Sequence, residues 1–189
     1  MLGIPKYKPN FIDDAYAFKE THKNQLEPLI GTSITKFWVM WDELEDVCYP
    51  DGPVILEIGG DQYEFCAYQL DDFSLTINTI DLDEKLDWYG SGDELPLIWK
   101  ENGKPELLDS LNRQIIDINI LTYNFKSTYV ETGAPHETGY MMHGIEFILK
   151  KVNNEVAYFS IFNALDQNGL TSEKVEEKDQ IARINIASC

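Results

Sequence analysis

The stretch PVILEIGGDQYEFCAYQLDDFSLTINTI, residues 53–80, decides the fold. PVILEI (53–58) and QYEFCAY (62–68) are apolar, β-rich runs, and FSLTINTI (73–80) alternates apolar and polar residues with a period of two, the signature of a strand buried on one face. Gly59-Gly60-Asp61 separates the first two runs and signals a hairpin turn. Outward from this core, SITKFWVMW (33–41) reads as a strand rich in β-branched and aromatic residues. RQIIDINILTYNF (113–125), YMMHGIEFILKK (140–151), EVAYFSIF (155–162) and IARINIA (181–187) read the same way, with Asn153-Asn154 as a second hairpin signal. Helix is the minority. After Asn10, the run FIDDAYAFKETHKNQ places Phe11, Ala15 and Phe18 on one face and Asp13 and Asp14 in the first turn, with Pro28 beyond the end. KPELLDSL (104–111) suits a short helix opening at Pro105. Residues 81–98 and 131–138 read as irregular, Asp166–Gly169 as a turn, and 170–179 as a solvated loop or short helix. The expected class is α+β, predominantly antiparallel β, with an N-terminal helix and one or two short helices.

An internal similarity is visible. LDDFSL (70–75) and LDQNGL (165–170) each close a hairpin and place Leu-Asp and a second Leu at the same spacing. Each hairpin follows a lone strand with a Pro- and Leu-rich entry, EPLIGTSI at 27–34 and PELLDSLNRQI at 105–115. The reading is one domain, 1–189, with similar β units at 27–80 and 105–170, each covering the other's apolar face. Chance likeness between period-two hairpins is the competing account.

The chain has 189 residues, 43% of them hydrophobic, which suffices for a core without disulfides or a structural metal. Cys48, Cys66 and Cys189 are odd in number and widely spaced, so they form no disulfide framework. The opening MLGIPKYKPNFIDDAYAF lacks the basic stretch, apolar run and cleavage site of a signal peptide, and the expectation is a cytoplasmic protein. With 33 acidic against 15 basic residues the net charge is −18, which repels nucleic-acid backbones and anionic membrane surfaces alike.

Signatures of chemistry are missing. The histidines and cysteines fall at no metal-ligand spacing, and no cofactor is expected. ALDQNGL fails as a calcium loop, because aligning Gly169 with the loop glycine puts Ala164 and Val175 at ligand positions. Neither a phosphate loop nor Gly-x-Ser-x-Gly occurs. His143, between Met142 and Gly144, reads as a half-buried strand residue. Glu57 and Glu64 are the sharpest local feature. A turn at Gly60-Asp61 sets them opposite each other, a repelling pair that would await a cation or act as acid and base. On that register, replacing both with Gln stabilises the free protein.

The charge is also localised. Asp42 to Glu94 holds 16 acidic residues against the single Lys85, or −15 of the −18. Among these are Asp42, Glu43, Glu45 and Asp46 in one run and Asp81, Asp83, Glu84 and Asp87 in another, with Trp88 and Tyr89 beside them. Exposed rings next to a concentrated field are what a protein interface uses. The eight carboxylates are expected to attract a basic protein partner and the two aromatics to anchor it; solubility alone is the blander account.

The arrangement DGPVILEI (51–58), YEFCAYQLDDFSLTINTIDL (63–82), HGIEF (143–147) and SIFNALDQNGL (160–170) resembles small acidic bacterial proteins, broadly the immunity proteins that neutralise toxins used between bacteria. The likeness spans roughly residues 29–170 as a style of sequence and transfers no functional residue. It implies a non-catalytic inhibitor that buries a toxin's basic cleft. Two rivals stand beside it: a small-ligand binder with an apolar pocket between the two β units, and a metal-assisted enzyme using Glu57 and Glu64.

Overall fold

The computed structural model describes residues 3–151, 155–176 and 181–188, with backbone alone for 124–126 and 135–138. The expected Asn153-Asn154 turn and Cys189 lie outside the described residues. Residues 53–80 form three consecutive strands: β3 (Val54–Ile58), β4 (Asp61–Tyr68) and β5 (Asp72–Ile77). Their lone predecessor is β1 (Ile34–Asp42), which pairs β3, so β1-β3-β4-β5 is an antiparallel meander. Its β1 side is extended by β2 (Val47–Cys48), a strand of two residues, and by β6 (Leu97–Glu101), which opens inside the 81–98 stretch expected to be irregular. The second sheet runs β7 (Ile115–Thr128), β8 (Pro135–Lys150), β9 (Val156–Asn163) and β10 (Asn168–Thr171), also an antiparallel meander, with β11 (Ile181–Asn185) against β7. Residues 135–138, expected as loop, extend β8, and Asn168–Gly169, expected as turn, open β10.

The two meanders share one strand order, and β4 maps onto β9 by a step of 95 residues at both ends, Asp61 to Val156 and Tyr68 to Asn163. Their entries also touch. Each passes through a 3₁₀ turn with proline at its start, Glu27–Leu29 and Pro105–Ser110. Beyond those turns Ser33 bridges Gln114, and the Ile115 N–H donates to the Thr32 carbonyl at 2.7 Å.

The inner faces of the two sheets close on each other. Phe37 meets Phe159 and Phe65 meets Phe147, edge-on at 5.7 and 6.1 Å between ring centres, within a cluster that also buries Ile34, Leu56, Ile145 and Ile161. The space between the two units, expected as a ligand pocket, is where these side chains pack. Helix α1 (Ala15–Leu26) lies across the seam, with Phe18 against Phe73. It starts later than Asn10 because residues 12–14 are extended: Ile12 pairs with Phe73 of one sheet and Asp14 with Met141 of the other. Asp14, not Asn10, caps it, its carboxylate accepting from the Ala17 N–H at 2.8 Å.

A third layer covers the outer face of the first sheet. The N-terminal arm and the 78–97 segment bury Ile4, Tyr7, Trp38, Met40, Cys66, Leu86, Trp88 and Leu97 together. The acidic third of the chain therefore makes up most of one sheet and its outer cover. Among the described residues, no helix is long and apolar enough to cross a membrane.

Candidate functional site

The hairpin that carries Glu57 and Glu64 turns at Gly59-Gly60, one residue earlier than expected. Both glycines sit at positive φ, +64° and +93°, as a tight two-residue turn requires. Ile58 then pairs with Asp61, so Glu57 faces Gln62 and Glu64 faces Ile55. The two acids are diagonal neighbours, and each has its own partners. Glu57 accepts from the Thr35 hydroxyl at 2.5 Å. Glu64 is fully buried and takes four donors: the Thr76 hydroxyl, the Thr79 N–H at 2.6 Å and hydroxyl at 2.7 Å, and the Ile80 N–H at 2.9 Å. This carboxylate anchors the chain as it leaves β5. It is neither opposed to Glu57 nor open to a cation or substrate. Among the described residues, no group of three or more His, Cys, Asp or Glu is arranged to hold a metal ion.

The acidic runs separate into structural and free carboxylates. Asp42 is buried and its Oδ1 accepts from the N–H groups of Leu44 and Glu45, fixing the turn after β1, so it is no docking residue. That turn presents Glu43, Glu45 and Asp46 outward. The Glu43 N–H donates to the Pro96 carbonyl, which brings the first run against the second. Glu43, Asp83, Glu84 and Asp93 consequently line one groove of about 390 Å³, floored by Leu82, Leu97 and Trp99. Asp81 and Asp87 are exposed on the same segment.

Lysines reach part of this face. Lys6 lies 3.6 Å from Glu84, Lys85 3.1 Å from Asp93, and Lys100 3.6 Å from Asp46 while sitting over the Trp41 ring. All three pairs are solvent-exposed, where such contacts contribute little. Among the described residues, Glu43, Glu45, Asp81, Asp83 and Asp87 have no lysine or arginine paired with them, so the face keeps a negative surplus.

The two expected anchors part company. Trp88 is 8% exposed, packed edge-on against Tyr49 and Tyr89; it belongs to the outer core because the 78–97 segment needs a large apolar side chain to hold it down. Tyr89 is 69% exposed and held at φ +51°, a left-handed conformation unfavourable for an aromatic residue. It stands over a small pocket of about 270 Å³ whose walls include Asp51, Tyr68 and Asp166, with Cys66 beneath. Sequence reading missed these residues, since Asp166 comes from the β9–β10 turn of the other sheet. Burial pushes the Cys66 thiol up to about 12, which keeps it protonated at neutral pH. Burial first, and then the Asp51 charge, raise the Tyr49 hydroxyl.

A second concavity lies on the outer side of the second sheet. About 670 Å³ in volume, it is lined by Tyr123, Met141, His143, Phe162, Leu165 and Ile181 among others. Leu121 pairs with Gly144 and Thr122 with Met142, which leaves His143 as the extra residue of a β-bulge, with its ring 5.6 Å from that of Phe162. Gly144 is required there, because a Cβ would stand 2.2 Å from the Ile161 carbonyl oxygen of β9.

Compared with protein-family models, with curated proteins and with solved structures, the chain matches none.

Proposed function

We propose that this protein acts by binding rather than catalysis, docking the acidic outer face of its first sheet onto a basic protein surface, in the manner of cytoplasmic immunity proteins that occupy a toxin's basic cleft. One observation carries the reading. Glu43 of the first acidic run meets Asp83, Glu84 and Asp93 of the second, some forty residues on in the chain, around a groove lined by Leu82 and Trp99 that holds one lysine, Lys85. Concentrated charge of one sign steers encounter with the opposite sign, and the ring and leucine surfaces within it supply packed area. The fully satisfied Glu64 weighs against chemistry at the hairpin.

Affinity capture from the source cell at about 50 mM and 500 mM salt tests the reading, since screening shortens from about 14 to 4 Å across that range. The expected result is a basic protein retained in stoichiometric amount at low salt, released at high salt, and not retained by a variant carrying Glu43→Gln, Glu45→Gln, Asp83→Asn and Asp87→Asn. Equal retention by the variant would contradict it.

The cleft beside His143 favours a second reading, a site for a small apolar ligand, because its size and lining fall in the ordinary range of ligand pockets. Saturable one-to-one binding of a neutral aromatic dye, weakened by Phe162→Leu, is the result that reading requires.

A further inference from the structure

We infer that the pocket under Tyr89 is an acceptor for an arginine side chain presented by the docking partner, an assignment that rests on the docking reading and names the group it recognises. Three layers of the molecule meet there. The 50–52 turn and the end of β4 bring Asp51 and Tyr68, the outer segment brings Trp88 and Tyr89, and the β9–β10 turn brings Asp166. Two carboxylates and the edges of Tyr68 and Trp88 line about 270 Å³ beside the exposed Tyr89 ring, a space for a flat organic cation; Tyr68 stacks on Phe11 at 5.1 Å, so Tyr89 offers the open face.

The walls are held in place before any partner arrives. Asn163 and Asn168 are 4% and 5% exposed, and both are spent on this pocket's turns. Asn168 donates from Nδ2 to the Gly52 and Pro50 carbonyls at 2.8 and 3.2 Å, clamping both neighbours of Asp51, while its Oδ1 accepts from the Ala67 N–H at 2.8 Å. Asn163 Oδ1 accepts from the Asp166 N–H at 3.1 Å, and its Nδ2 donates to the Gln69 carbonyl at 2.8 Å. The carboxylate-bearing turns of two different sheets are therefore tied to each other and to the strand end between them. Preorganised acceptors of this kind suit guanidinium better than ammonium. Its planar face stacks on rings, its fork reaches two acceptors, and it gives up water more readily. Tyr89 supplies the exposed ring of the wall.

The test uses the intact protein and three capped amino acids, Nα-acetyl amides of arginine, lysine and citrulline, the last a neutral analogue of arginine's shape. Binding is followed by NMR at the Trp88 indole N–H and the Tyr89 backbone amide. The expected result is saturable one-to-one binding of the arginine compound, at least about fivefold tighter than lysine or citrulline. Asp51→Asn and Tyr89→Asn should each weaken it by about fivefold or more. Asparagine tolerates the left-handed conformation at position 89, so that variant keeps its fold. Equal binding of citrulline, equal binding of lysine, an unchanged Tyr89→Asn variant, or shifts spread evenly over all the acidic loops would each overturn the assignment. Arginine binding without any captured basic partner would sink the docking reading and leave the pocket standing. Capture indifferent to Asp51 and Tyr89 would do the reverse.

Discussion

At the scale of single residues, the partners that buried Glu64 and His22 have or lack give signed predictions. Glu64→Gln exchanges one acceptor oxygen for an N–H pair aimed at donors, so it should destabilise by about 1.5–3 kcal/mol in urea unfolding, the opposite of what a repelling pair would give. Glu57→Gln, at a half-buried site with one hydroxyl partner, should change little by comparison. His22 is buried on α1, its Nδ1 2.7 Å from the Gln25 side-chain oxygen and its Nε2 without a partner among the described residues. Burial lowers its proton affinity, and the Gln25 contact only partly offsets that. Below about pH 6.5 the unfolded chain takes up a proton that the folded one resists. Stability from this group is thus complete above that pH and is lost as the pH falls through it toward the lowered folded value. Urea midpoints at pH 7.5 and 5.5 should differ more for the wild type than for His22→Gln; equal differences would contradict the burial argument. Cys66, protonated and buried, should escape alkylation in native peptide mapping and react once the chain is unfolded.

At the scale of elements, β11 is held to its sheet by more than its ladder. Arg183 reaches back with Nε and Nη2 to the two oxygens of fully buried Glu146 on β8, at 2.7 and 2.9 Å. Arg183→Met leaves that carboxylate buried without its cation and should cost about 3–5 kcal/mol, of which Glu146→Leu in the same chain restores a part. Most strands were legible because alternation of apolar and polar residues survives in each. FSLTINTI reads as β5 to its end, yet its last three residues leave the strand, Thr79 and Ile80 to serve Glu64 and Asn78 to pair with Gln62, a tertiary demand that no local pattern carries. Strand β2 is too short to show a period, and β6, next to Pro96, is part exposed with no clean alternation of buried and exposed residues. The hairpin register failed on a single turn residue: Gly59-Gly60-Asp61 permits a turn at either dipeptide, and the two glycines took the left-handed positions that aspartate fills less readily. Asp42 and Trp88 were misassigned for one reason: charge and aromaticity are visible in the sequence, and burial is not. Asp51 and Asp166 stayed hidden because they meet only when the two sheets pack.

For the whole molecule, the account rests on a division of labour between layers. The inter-sheet core stabilises the fold, and the outer cover of the first sheet, with the turn after β1, gathers exposed carboxylates beside the Leu82–Trp99 groove. The two meanders share a strand order, with a 95-residue step from β4 to β9, and the outer cover lies on the first of them. If that cover is the working surface, electrostatics should set the association rate more strongly than the dissociation rate. The most direct measurement is stopped-flow association with the captured partner as ionic strength is raised from about 50 to 500 mM, for wild type and for the variant lacking Glu43, Glu45, Asp83 and Asp87 charges. The account predicts a wild-type association rate that falls by about tenfold or more, and a variant that starts slow and responds weakly to salt. Identical salt dependence in the two proteins would show that this face does not meet the partner.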